Sequence, residues 1–139
     1  MGVVRRVFDA LSHRDVPALL ELAAPDIEFF APATAALTRQ GRSYRGHDGI
    51  MRYMRDVGRV WDELELIPAS FHESGDDQVI VRGRLRARGR SGVLLDERAN
   101  WLVEVHNGKV VSSRPLGTAE SDTAELQAAV EQQDKTARA

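Results

Sequence analysis

No cysteine occurs among the 139 residues, which excludes a disulfide framework, a thiolate zinc site, an iron–sulfur cluster and a cysteine nucleophile. That composition suits a reducing cytoplasm, where the chain is expected to work. Long apolar runs are missing as well. None approaches the roughly 18 residues that a membrane span needs, and the first fifteen, MGVVRRVFDALSHRD, break their apolar positions with charge every few residues. Neither a membrane span nor a targeting segment is expected. Charge of one sign is scarce too: 19 Lys and Arg stand against 21 Asp and Glu, so nothing draws the chain globally to nucleic acid or anionic lipid. Histidine is sparse. His13, His47, His72 and His106 stand singly, without HExxH or HxH spacing. Glu104 and His106 come nearest to a ligand pair on one strand, and without a third ligand no metal is expected. No cofactor is expected either, because Gly75, Gly89, Gly92 and Gly108 lack the strand, glycine turn and helix order of a phosphate cradle.

What is present fits one compact domain, with 42% hydrophobic residues to build its core. Val4, Val7, Phe8 and Leu11 recur at helical spacing with Arg5, Arg6 and Asp9 between them, which predicts a first helix. Asp15 before VPALLEL reads as the N-cap of a short second helix, with proline tolerated in its first turn. DIEFF is a first strand closed by Pro32, and ATAALTRQGRS reads as a loop. From Gly46 to Trp61 a third helix aligns Ile50, Tyr53, Met54, Val57 and Trp61 on one side, with Arg52, Arg55, Asp56 and Arg59 elsewhere.

Beyond Trp61 the apolar period becomes two. ELELIPASF, QVIVRGRLRARG, VLLDERANWLVEVH and KVVSSRPL read as four strands, and the GDD, GRSG and NG breaks between them suit tight hairpins. Short breaks make an antiparallel meander. The expected class is therefore α+β, a cone-shaped curved antiparallel sheet covered by three N-terminal helices, with a pocket between the layers. This domain is expected over 1–118. A C-terminal helix opening on an Asp122 to Glu125 capping box, with a frayed tail, is expected over 119–139.

VRGRLRARGR invites a nucleic-acid reading, which its alternation answers. A period of two puts Arg82, Arg84, Arg86, Arg88 and Arg90 on one face and Val81, Gly83, Leu85 and Ala87 on the other. No aromatic residue interleaves them to stack bases, so a charged outer sheet face is expected, solvated or set into a dimer interface.

The stretches VVRRVFDALSHRDVPALLEL, PDIEFFAP, YRGHDGIMRYMRDV and VEVHNGKVVSSRPL, in this order, resemble the superfamily of nuclear transport factor 2, ketosteroid isomerase and the SnoaL-like polyketide cyclases. The resemblance spans about Val3 to Leu116. It implies the cone fold, a pocket at its wide end and dimerisation through the sheet. It does not imply one function, since the fold hosts isomerases, cyclases, epoxide hydrolases and binding modules. The isomerase base falls on Ala31, the helix tyrosine on Val7, the oxyanion Asp on Trp101 and a supporting tyrosine on Met54, so that chemistry lacks its parts.

Without an acid, PDIEFFAP builds apolar wall. The expected ligand site joins Phe29 or Phe30, according to register, and Ala31 to Val7, Met54, Trp101, Val103, Ser113 and Pro115, with Ser113 and the Trp101 indole as its polar handles. A small apolar molecule is the expected partner. Two alternatives stand beside it. One is a cyclase, isomerase or epoxide-hydrolase-type enzyme drawing its acid from Glu28, Asp48, Asp96, Glu120 or Asp122; the other is a dimeric interaction module with a filled cone.

Overall fold

The computed structural model describes residues 2–38 and 43–116. Two short helices come first, α1 (Gly2–Ser12) and α2 (Val16–Leu22), then strand β1 (Ala23–Phe29). The α2 cap is the expected one, with the Ala18 amide donating to the Asp15 carboxylate at 3.2 Å. Next come α3 (Pro32–Thr38), the two-residue strand β2 (Tyr44–Arg45) and α4 (Gly46–Val60). Four long strands complete the described chain: β3 (Trp61–Glu73), β4 (Gln78–Gly89), β5 (Leu94–His106) and β6 (Lys109–Pro115). The expected C-terminal helix, with Glu120 and Asp122, lies outside the described residues.

Two local readings change. ATAALT is helical, because Pro32 both ends the strand and presets the first turn of a helix that alanine then favours. That makes four helices among the described residues where three were expected. Tyr44–Arg45 adds a strand too short to show alternation; it pairs antiparallel with Glu28 and Phe29 of β1.

The six strands form one curved sheet in the order β2-β1-β6-β5-β4-β3. β3 to β6 make the expected antiparallel meander, while β1 joins β6 in parallel. Asn107 and Gly108 both take positive φ, +53° and +75°, as a two-residue type I′ hairpin requires. Curvature has a local source. β3 shifts register between Trp61 and Glu63 and again between Pro68 and Ser70, bending an edge strand where proline removes no needed donor.

The helices pack against the concave face. Val4 and Phe8 of α1, Leu19 of α2 and Ile50 of α4 meet Ile27, Val79, Val81, Val103 and Val110 from the sheet. A second cluster joins Tyr44, Tyr53, Val57, Trp61 and Ala87. On the convex face the arginines alternate outward as expected. Arg84 holds Asp96 at 2.7 Å, Arg88 holds Glu63 at 3.2 Å and Arg90 meets Asp62 at 3.5 Å. All three pairs are exposed, so each contributes little to stability.

Candidate functional site

Between the two clusters lies a cavity of about 800 Å³. On its sheet side lie the inner rows of two strands, Leu85 of β4 and Leu95, Glu97, Ala99, Trp101 and Val103 of β5. The wall includes Val7, Phe29, Phe30, Ala31, Trp101, Val103, Ser113 and Pro115 from the expected site. Met54 is not on it. That side chain is partly buried and packs against both clusters. Both phenylalanines reach the wall, since Phe30 sits just past the strand end, where the alternation of β1 stops, its amide bonded to the Ser113 carbonyl at 3.0 Å.

Trp61 is also on the wall, at the start of β3 and only 3% exposed. Its indole donates to the Thr34 hydroxyl at 3.0 Å. Thr34, 2% exposed, belongs to α3, whose short alanine-rich sequence has the look of a loop, so the sequence does not signal this polar contact. Tyr53 of α4 completes the group. Burial pushes its phenol up to about 12, against smaller opposing effects of the Arg14 charge and a hydrogen bond with Thr34. Neither the Trp101 indole nor the Ser113 hydroxyl has a hydrogen-bond partner among the described residues. Sequence reading found those two handles and missed Tyr53, Thr34 and Trp61, whose polar atoms converge only when α3, α4 and β3 pack.

Behind this wall, Tyr44 is fully buried and donates to Asp56 at 2.7 Å. Its ring stacks on Phe29 at 5.2 Å and meets Tyr53 edge-on at 5.3 Å. Burial, followed by the hydrogen bond and charge of Asp56, holds the Tyr44 phenol far above its ordinary range. Asp56, which lies off the apolar side of its helix, is nonetheless only 6% exposed, because β2 brings a phenol over that turn.

Of the carboxylates named as acid sources, the three among the described residues, Glu28, Asp48 and Asp96, are not on the cavity wall. Glu28 is exposed and pairs with Arg45 at 2.7 Å, Asp48 is exposed in the first turn of α4, and Asp96 faces outward to Arg84. Among the described residues the carboxylate on the wall is Glu97, next to Asp96 and on the opposite face of β5. Strand alternation alone carried that signal, since Trp101 and Val103 mark the inner row that also contains Glu97. No three His, Asp or Glu side chains come together to hold a metal among the described residues.

The uncharacterised protein Rv0034 of Mycobacterium tuberculosis is 33% identical over 111 residues, covering 79% of this chain and 82% of that one. An NTF2-like protein of unknown function from Burkholderia pseudomallei K96243 superposes with a TM-score of 0.74 at 27% identity, over 94% of this chain and 95% of that one. TerC, co-crystallised with polyporic acid, superposes at 0.73 with 22% identity over 94% and 96% of the two chains, a likeness that shows the fold. The sequence pattern of the SnoaL-like domain matches residues 4–113, most of the chain and every wall element up to Ser113, and the protein therefore belongs to the SnoaL-like domain family, in the NTF2-like fold.

Proposed function

We propose that this protein binds a small, largely apolar, ring-containing molecule inside the cone. One observation carries the reading: a cavity of about 800 Å³ whose wall is aliphatic and aromatic apart from a few separated polar groups. That TerC, with the same fold, was co-crystallised with polyporic acid supports it. Burial at about 25 cal/mol per Å² lets a bicyclic skeleton bind at roughly micromolar levels after association costs. Trp61 and Trp101 are the chain's two tryptophans, and both line the cavity. Titration with apolar ring compounds is therefore expected to change the protein's intrinsic fluorescence. Ala31→Leu fills part of the space and should weaken that binding about tenfold with little loss of stability. A more stable Ala31→Leu protein, together with no fluorescence response of the wild type to any compound, would mean that the cone is closed to ligands and would favour the interaction module.

The pocket is proposed to act without ketosteroid isomerase chemistry. Ala31 cannot take a proton, and neither Val7 nor Trp101 supplies the family's oxyanion donor; loss of one such donor alone costs on the order of 100-fold in rate. No turnover of a 3-keto-5-ene steroid above background is expected, and efficient conversion would refute this. One observation keeps an enzyme as the second reading: Glu97 and the Tyr53 hydroxyl share a cavity wall as a base and a donor. In that case Glu97→Gln would abolish turnover of a compound that the variant still bound.

The outer sheet face is the proposed dimer surface, as the arginine row suggested. Arg84→Glu places like charge beside Asp96 and should lower the dimer fraction. Light scattering that shows a monomer at high micromolar wild-type concentration would end that proposal.

A further inference from the structure

Glu97 is out of keeping with its surroundings. Its immediate neighbour Asp96 faces outward and is held by Arg84 at 2.7 Å and Arg86 at 4.0 Å. Glu97 occupies the inward row of β5 between Leu95 and Ala99, directly across from Leu85. It is half-buried on the cavity wall, and among the described residues it has neither an ion pair nor a hydrogen bond. Arg114 also reaches the wall, from the opposite row: its register partner is Leu102, whereas Val103, facing inward, pairs with Ser113. A carboxylate partly withdrawn from water into an apolar wall is costly unless a donor or cation meets it. Phe29, Tyr53, Trp61 and Trp101 add aromatic faces to the same cavity, and aromatic faces attract cations.

From these two features together we infer that Glu97 sets the ligand's chemical class: a hydrophobic ring system bearing a cationic amine, its ring skeleton in the apolar part of the cone and its ammonium group on Glu97. The inference rests on the pocket reading above and narrows it. A charge-assisted hydrogen bond in a partly dry site gives a preference of at least about tenfold over a neutral group of the same shape.

Isothermal titration of the full chain with three compounds of nearly equal shape tests this: 1-naphthylmethylamine, 1-ethylnaphthalene and 1-naphthylacetate. The wild-type protein is expected to bind the amine at least about tenfold tighter than the hydrocarbon, and the acid most weakly. Glu97→Gln keeps the side chain's shape and should bring amine and hydrocarbon within about threefold, chiefly by weakening the amine. Equal wild-type affinities for amine and hydrocarbon, an acid that binds tightest, or an amine preference that survives Glu97→Gln would each overturn the assignment. Should Glu97→Gln fail to fold, the wild-type ranking decides by itself. Hydrocarbon binding without amine preference sinks this inference and leaves the pocket reading standing, whereas no binding by any of the three sinks both.

Discussion

Gly83→Ala is expected to destabilise the protein by about 3 kcal/mol or more, lowering its melting temperature by roughly 10 °C. In most strands this substitution helps, since glycine is the worse strand former. Here a Cβ on residue 83 would lie 2.0 Å from the Ile67 carbonyl oxygen and 2.9 Å from its carbon. Both are backbone atoms of the neighbouring strand, so no side-chain rotation relieves the clash. The close approach has a cause in β3, which shifts register between Pro68 and Ser70 beside this glycine. The bend that brings Ile67 over Gly83 helps to curl the sheet. Thermal melts followed by circular dichroism check the expectation. A Gly83→Ala protein melting within two or three degrees of wild type would mean that the strands do not approach as described.

Tyr44→Phe is the second large effect expected, at about 3 kcal/mol of lost stability at neutral pH. The ring and its stack on Phe29 survive, but the donor to buried Asp56 disappears and leaves a carboxylate without that bond. Replacing Asp56 by leucine in the same chain should recover much of the loss, because no charge is then left stranded, and a double-mutant cycle measures the coupling. The same pair predicts an alkaline limit. Tyr44 and Tyr53 are the chain's two tyrosines, and both hold their protons more tightly in the folded state than the ordinary value of 10. Their contribution is fully present below pH 10. Above it the unfolded chain gives up protons that the folded chain keeps, so stability falls as pH rises through about 12 for Tyr53 and further for Tyr44. Absorbance at 295 nm should therefore stay flat past pH 10 and rise together with loss of helix signal. Ordinary phenolate titration near pH 10 in the folded protein would contradict the buried placement of both rings.

The long elements were legible from the chain because each carries its own periodicity. The 3.6-residue stripe of Ile50, Tyr53 and Val57 specified α4, the Asp15 cap specified the start of α2, and the Asn107–Gly108 pair specified its hairpin through backbone freedom alone. Alternation also put the arginine row outside, which argued against nucleic acid as a partner. The family resemblance added what periodicity cannot give, the positions at Val7, Ala31 and Trp101 where isomerases of this fold carry their polar groups, and all three residues stand on the cavity wall.

Local pattern determined which segments become helix or strand and which strand face turns inward, since those depend on neighbours two to four residues apart. Tertiary structure alone decided the rest. Whether Met54 or Trp61 lines the cavity depends on how α4 rotates against β3, whether Asp56 is buried depends on a tyrosine twelve residues away, and whether the inner row of β5 that carries Glu97 meets packed helices or an open cavity depends on how those helices sit over the sheet. Those are contacts between elements, and no periodicity within one element encodes the space left between several.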